Sequence, residues 1–184
     1  GVYNAGANTV TFSGLGISVA NGANEVYTVN AYYNDNTGIT DGRTFILSVD
    51  GDTDLTVGSS GTQMGATAAI TNGAGGSFDV TATALAFATQ PAGSVSGSAL
   101  TTQPVVRARD AFGNIDTDFT ETITLTEASA GFITGGSVAA VAGVATFTGV
   151  TYSATADQQS FTLTANDQDG VNSNLATIDA NAVT

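Results

Sequence analysis

The chain has 184 residues, of which 42% are apolar, enough for one or two folded domains with ordinary cores. Sixteen Asp and Glu residues against three Arg residues give a net charge of −13, which argues against binding to nucleic acid or to an anionic membrane surface. Because His, Cys and Lys are absent, imidazole and thiolate chemistry, zinc clusters, disulfides and Schiff bases are excluded.

Short segments in which Val, Ile, Phe, Tyr and Thr alternate with other residues run through the first half, separated by Gly, Asn and Asp. This pattern is typical of short antiparallel strands, and seven of them are enough for one small sandwich. The predicted strands are residues 9–13, 17–20, 26–33, 44–49, 54–57, 66–70 and 77–81.

The second half repeats this architecture, with no close repetition of sequence. Its predicted strands are residues 85–88, 105–110, 121–125, 136–141, 144–147, 160–164 and 175–178. No stretch has a capped helical period, so minimal helix is expected. The predicted fold class is all-β, with two tandem immunoglobulin-like β-sandwiches at residues 1–83 and 84–184. No long Pro/Ser-rich linker separates them, which predicts a short, semi-rigid joint and a rod-like particle.

Three motifs in the second half point to a family. They are an LxFxxQP strand at residues 85–91, a DxxGN loop at residues 110–114 and a GxAxFxGV strand at residues 143–150. This sequence resembles the bacterial Ig-like repeats of very long surface proteins and adhesins. The resemblance implies an extracellular or cell-surface location, neighbouring repeat modules of the same polypeptide as partners, and a stalk or spacer role without shared catalytic residues.

The DxxGN loop has two alternative geometries. A two-residue turn at Phe112 and Gly113 would place Arg109 opposite Asp116 on a hairpin, where opposed charges contribute roughly 0.2 to 1 kcal/mol per pair. In an Ig-like fold the same connection crosses from one sheet to the other. We favour the crossover.

Two acidic clusters are candidate calcium sites, because alternating carboxylates on a tight loop offer several oxygens to one Ca²⁺. The first cluster has Leu55 and Gly61 where an EF-hand loop needs a glycine and a glutamate, so an acidic turn is the alternative interpretation at each. As a hypothesis, calcium there stiffens the rod. The candidate ligands are Asp50, Asp52 and Asp54 in the first cluster, and Asp167, Asp169 and Asn172, with Asn174 nearby, in the second.

A third polar group surrounds the DxxGN loop and contains Asp110, Asn114, Asp116 and Asp118. It lies near an expected domain end and suggests an ion site between modules. The alternative is that Asp110 and Asn114 bond the backbone of their own loop, as Asx turns do, and we favour this alternative.

The remaining candidates are a tyrosine cluster and pairs of carboxylates. Tyr27, Tyr32 and Tyr33 share one predicted strand and suggest a sugar-stacking surface, although core and rim roles are expected of most of them. A hydrolase would have to use two carboxylates in a cleft, for which small sandwiches leave little room. The prediction is a non-catalytic structural segment of a large cell-surface or secreted adhesin-like protein; the alternative is a carbohydrate-binding accessory module.

The predicted partners follow from the same observations. They are neighbouring modules and a surface glycan or protein ligand. Nucleic acid is excluded by charge, and membrane insertion because no apolar run approaches the roughly 20 residues that span a bilayer.

Overall fold

Antiparallel strands make up the regular secondary structure of the residues that the computed structural model describes, which are 1–4, 6–20, 23–28, 36–51, 53–54, 68–71, 75–93, 95–167 and 174–184. No helix occurs in these ranges, as predicted, and hence none that is long and apolar enough to cross a membrane. The strands are β1 Val2–Asn4, β2 Thr9–Thr11, β3 Thr44–Phe45, β4 Ser48–Val49, β5 Ile70–Thr71, β6 Gly76–Ser77, β7 Ala84–Thr89, β8 Ser98–Ala99, β9 Val105–Arg109, β10 Thr122–Glu127, β11 Phe132–Thr134, β12 Ser137–Ala139, β13 Val144–Thr146, β14 Thr151–Ser153, β15 Leu163–Asn166 and β16 Ile178–Asp179.

Strand β9 shows why the alternating sequence forms these strands. Val106 and Ala108 are buried, whereas Arg107 and Arg109 are exposed on the other face. Successive side chains of a strand point to opposite sides, so a two-residue period gives one apolar and one polar face. The same alternation recurs in β10, where Ile123 and Leu125 are buried.

Three antiparallel sheets are built from residues 84–184. One has the strand order β13-β9-β7, the second has the order β12-β10-β15-β16 and the third has the order β11-β14-β8. In the first sheet, Leu85 lies opposite Ala108, and a register shift interrupts the ladder between Phe87 and Thr89.

One apolar core takes side chains from all three sheets. Tyr152 of β14 stacks on Phe161, with ring centroids 3.8 Å apart and planes inclined by 17°, and its hydroxyl lies 2.8 Å from Ser129 Oγ. Sheets that share one core in this way are consistent with a β-sandwich. Among the most deeply buried apolar side chains are Val106, Ala108, Ile123, Ala145, Phe147, Val150, Tyr152, Leu163 and Ala165.

The connection from β9 to β10 confirms the crossover, because these strands belong to different sheets. Arg109 pairs with Ile115 in an isolated antiparallel bridge, so the hairpin register that placed Arg109 opposite Asp116 is wrong by one residue. After Asp116 the chain leaves the first sheet, and the Asp116 carboxylate accepts hydrogen bonds from the backbone of the following turn, at Asp118 and Phe119.

The first 83 residues contain shorter ladders. β1 pairs with β2, β3 with β6 and β4 with β5. The predicted strand at 17–20 is not a strand, and residues 26–28 of the next prediction are not strand either, because they join no backbone ladder. Residues 29–33, 55–57 and 66–67 of the predicted strands lie outside the described residues.

Two compact units divide the chain, Gly1–Asn34 and Asp35–Thr184. The predicted boundary between residues 83 and 84 falls inside the second unit. The predicted division into domains 1–83 and 84–184 stays a prediction, as does the tandem Ig-like arrangement.

Candidate functional site

The polar loop between β9 and β10 is bonded to the segment that precedes the sandwich in sequence. Three side chains of this loop and one of the preceding segment form the bonds, and we call Asp41, Asn114, Asp116 and Thr117 the junction network. All four belong to the unit Asp35–Thr184. Each makes at least one hydrogen bond to a residue 34 or more positions away.

Asp110 organises the loop itself. Its Oδ1 accepts hydrogen bonds from the backbone nitrogens of Phe112 and Asn114, each at 2.9 Å, and its Oδ2 accepts one from Asn114 Nδ2 at 2.8 Å. These are the short-range bonds expected of an Asx-type loop, and they use both carboxylate oxygens.

Asn114 extends the loop to the preceding segment. Its Oδ1 accepts a hydrogen bond from Ile39 N at 2.9 Å, and its Nδ2 donates to Asn36 O at 2.6 Å. The side chain is only 5% exposed. A buried amide with both ends bonded holds the two backbone segments in one geometry, because losing either bond would leave a buried polar group unsatisfied.

Asp41 belongs to the preceding segment, and its side chain is hydrogen-bonded to the β9–β10 loop. Its Oδ2 accepts hydrogen bonds from Thr117 N at 2.8 Å and Thr117 Oγ1 at 2.6 Å. Its Oδ1 accepts from Gly42 N and Val80 N, each at 2.9 Å. Four donors therefore converge on one half-buried carboxylate.

Asp116 completes the network beside the start of β7. Its Oδ2 accepts a hydrogen bond from Ala82 N at 2.8 Å, and its Oδ1 accepts from Asp118 N and Phe119 N, each at 3.0 Å. The chain that enters the sandwich is thus held by side chains of the loop.

Hydrogen bonding determines the pKa values of two of these acids. Partial burial alone would raise the pKa of Asp41, but the bonds from Thr117, Val80 and Gly42 outweigh it and hold the pKa below its ordinary value of 3.8. Burial would also raise the pKa of Asp110, but the hydrogen bonds that the loop donates to this carboxylate outweigh the effect of burial and lower the pKa. Both groups are therefore carboxylates at neutral pH.

Three carboxylates converge at the edge of the network. One oxygen each of Asp41, Asp79 and Asp118 lies within 4.8 Å of the others, and within the described ranges this is the group of acidic side chains close enough to share a metal ion. Each oxygen of Asp41 already accepts two hydrogen bonds, so little acceptor capacity remains for an ion.

The first predicted calcium cluster forms a tight turn where the structure describes it. Asp54 N donates to Asp50 O, and Asp54 Oδ2 accepts from Asp50 N, both at 2.8 Å. One carboxylate of the cluster is thus used to close the turn. Asp52 lies outside the described residues, and calcium binding at this cluster stays a prediction.

The second predicted cluster contains a fully buried acid. Asp167 is 0% exposed; its Oδ2 accepts a hydrogen bond from Leu175 N at 2.8 Å, and its buried Oδ1 has no partner within the described parts of the chain. Asp169 and Asn172 lie outside those parts, and Asn174 is exposed. The structure thus leaves one ligand atom of the predicted site without a described donor.

Of the three tyrosines proposed for sugar stacking, Tyr27 is described. It is 57% exposed, and its hydroxyl is bonded to Glu25 Oε2. Tyr32 and Tyr33 lie outside the described residues, and the sugar-stacking surface stays a prediction.

The sequence pattern identified Asp110, Asn114, Asp116 and Asp118 but not their partners in the preceding segment. Asp41, Asp79 and Thr117 were not among the candidate site residues. Asp41 and Thr117 are 76 positions apart, a separation that no local pattern reveals.

Comparison with known proteins adds no relative. No family model, no curated protein and no solved structure matches the chain.

Proposed function

We propose that the chain is a non-catalytic structural segment, a stalk or spacer, of a large bacterial cell-surface or secreted adhesin-like protein. Its principal partners are then the neighbouring modules of the same polypeptide. The tandem immunoglobulin-like arrangement belongs to the same proposal.

The observation that supports it best is the junction network. Asp41, Asn114 and Asp116 join residues 36–41 and Ala82 to the β9–β10 loop through hydrogen bonds of 2.6 to 2.9 Å. A connection held by bonded side chains transmits force and orientation better than a flexible tether. This is what a spacer requires.

Small-angle scattering of the chain and of the Asn114→Ala variant tests the proposal. We expect an elongated particle for the parent chain and a broader distribution of distances for the variant, because the bonds to Ile39 and Asn36 are lost. The exposed substitution Asn181→Ala serves as the control. A compact particle, or identical curves for parent and Asn114→Ala, would contradict the stalk.

Calcium binding at the second acidic cluster is the chemical part of the proposal. The support is Asp167 Oδ1, which has no donor among the described residues, since a buried carboxylate oxygen without a donor is costly and a cation would compensate it. We expect added Ca²⁺ to raise the melting temperature and Asp167→Asn to abolish that shift, with the exposed Asp157→Asn as the matched control. A melting temperature that is the same with calcium and with chelator would remove calcium from the proposal.

A further inference from the structure

Residues 9–20 present a row of exposed apolar side chains. Val10, Phe12, Leu15 and Ile17 are each between 45% and 60% exposed. Single exposed apolar residues are ordinary on protein surfaces, but a row of them along one segment is typical of an interaction surface. The identity of that partner can be inferred from a second copy of the same segment.

The nine residues 11–19, TFSGLGISV, are repeated as TFTGVTYSA at residues 146–154. Thr, Phe, Gly and Ser are identical at four positions, and the remaining apolar positions coincide. The offset is 135 residues, from Thr11 to Thr146, which is why a comparison of the two ninety-residue halves does not detect it.

The strands follow the same offset. β1, Val2–Asn4, corresponds to β12, Ser137–Ala139, and β2, Thr9–Thr11, corresponds to β13, Val144–Thr146. Their pairing differs, since β12 pairs with β10 and β13 with β9, whereas β1 and β2 pair with each other. The first copy therefore has the strands of the second without the partners that the second copy uses.

The second copy is buried where the first is exposed. Ala145, Phe147, Val150 and Tyr152 are the counterparts of Val10, Phe12, Leu15 and Ile17, and each is at most 2% exposed. The same sequence pattern thus forms the inner face of a sandwich in one copy and an uncovered face in the other.

The covering residues in the second copy precede it in the chain. Ala145 lies opposite Val106, and Phe147 N donates to Pro104 O at 3.2 Å. The backbone of Val150 is bonded on both sides, accepting from Leu100 N at 2.9 Å and donating to Gln103 Oε1 at 2.8 Å. Residues 98–109 therefore pair with this segment along its backbone, and Leu100 and Val106 pack in the same apolar core.

The offset of 135 residues places the counterparts of residues 98–109 on the amino-terminal side of Gly1. We propose that residues 1–20 belong to the carboxyl-terminal half of a sandwich, and that their apolar face binds a strand segment equivalent to Ser98–Arg109, supplied by the same polypeptide from sequence that precedes Gly1. The binding is β-strand pairing plus burial of Val10, Phe12, Leu15 and Ile17.

A fusion tests the proposal with sequence that the chain already contains. A second copy of residues 84–135 is joined directly to Gly1 of the full chain, because Gly1 corresponds to Gly136 at this offset. We expect hydrogen-exchange protection of residues 9–19 to rise by at least about 100-fold relative to the unfused chain. The same fusion with Val106→Asp in the added copy is the control and should show no rise.

Two results of this experiment would overturn the proposal. One is a fusion in which residues 9–19 remain as unprotected as in the unfused chain. The other is an unfused chain that gains the protection as its concentration rises and sediments as a dimer, because the face would then bind a second copy of this chain.

A pair of substitutions in the unfused chain gives a result that does not depend on folding of the fusion. We expect Phe12→Asp to change the melting temperature by no more than about 2 °C, and Phe147→Asp to lower it by at least about 10 °C. Equal losses would show that Phe12 is already covered within this chain and would refute the inference.

The inference rests on the proposed function only in that modules follow one another in one polypeptide. The two fail separately. A fusion without added exchange protection would refute the docking and leave the elongated particle seen by scattering, whereas a compact particle would refute the stalk and leave the docking intact.

Discussion

Asp41 accepts two hydrogen bonds from Thr117, at 2.8 Å from its backbone nitrogen and 2.6 Å from its hydroxyl, across 76 positions of sequence. The same carboxylate also accepts a bond from the buried Val80 backbone. Asp41 thus ties the segment before the sandwich both to the β9–β10 loop and to the residues that lead into β7.

Replacing this carboxylate should destabilise the second unit. We expect Asp41→Ala to lower the free energy of unfolding by about 1–3 kcal/mol, because the Val80 N–H is left buried without an acceptor. Urea denaturation followed by circular dichroism measures the loss. Asp157→Ala, at an exposed position, should change stability by no more than about 0.5 kcal/mol. Equal values for the two variants would show that the network does not contribute to stability.

Asn114 should tolerate a charge poorly. In Asn114→Asp the amide that donates to Asn36 O and to Asp110 Oδ2 becomes a second carboxylate beside Asp110. We expect the free energy of unfolding to fall by about 3 kcal/mol at pH 7, because the new buried carboxylate has no cation beside it and the amide donor is lost. The loss should shrink at acid pH, where the new carboxyl is neutral. Asn181→Asp is the exposed control, and a loss independent of pH would exclude repulsion as its cause.

Stability should depend on pH through Asp41 and Asp110. Both have folded pKa values below the ordinary value of 3.8, so their contribution is fully present above that value. It is lost as the pH falls below about 4 toward the folded pKa values, because the unfolded state then binds protons that the folded state does not, which favours unfolding.

Unfolding measured from pH 7 to pH 2.5 checks this window. The parent chain should lose stability more steeply below pH 4 than the Asp110→Asn variant, in which one titrating group is removed. Parallel curves would show that Asp110 titrates alike in the folded and unfolded states.

Gly143 should be the least replaceable glycine of the loop region. It has a φ of 74°, and a Cβ at this position would lie 2.2 Å from Asp116 O. Gly113 also has a positive φ, 91°, but a Cβ there meets no atom within 4 Å. Gly113→Ala should cost about 1 kcal/mol of backbone strain, and Gly143→Ala at least about 2 kcal/mol more. Similar losses in denaturant titrations would contradict the close approach.

In the second half, the alternation of apolar and polar residues located strands well where one face of the strand is more buried than the other. β7, β9, β10, β12 and β13 lie within the predicted segments or overlap them closely. β8, β11 and β14 were missed, since no predicted segment includes them. β15 was predicted about three residues early, since Phe161 is buried but joins only an isolated bridge.

In the part of the first half that the structure describes, alternation predicted strands at some positions that join no ladder. Residues 17–20 have the apolar and polar order of a strand, yet they join no ladder. A strand requires a partner backbone as well as a suitable sequence, and the pattern reports only the second requirement. Ile17 and Val19 are consequently exposed.

The sequence by itself determined which side-chain chemistries are excluded and which short-range hydrogen bonds form. The absence of His, Cys and Lys excludes imidazole, thiolate and amine chemistry, and the DxxGN spacing is sufficient for Asp110 to bond Phe112 and Asn114. A short side chain reaches backbone two to four residues away in any fold that permits the turn, so such bonds can be predicted locally.

Tertiary structure alone decided which distant groups meet. Asp41 reaches Thr117, and Asn114 reaches Ile39, only because sheet pairing and burial of one core bring these segments together. It also decided that the motif at residues 146–154 is buried while its copy at residues 11–19 is exposed. Burial depends on the strands that lie opposite, and a segment's own sequence does not contain them.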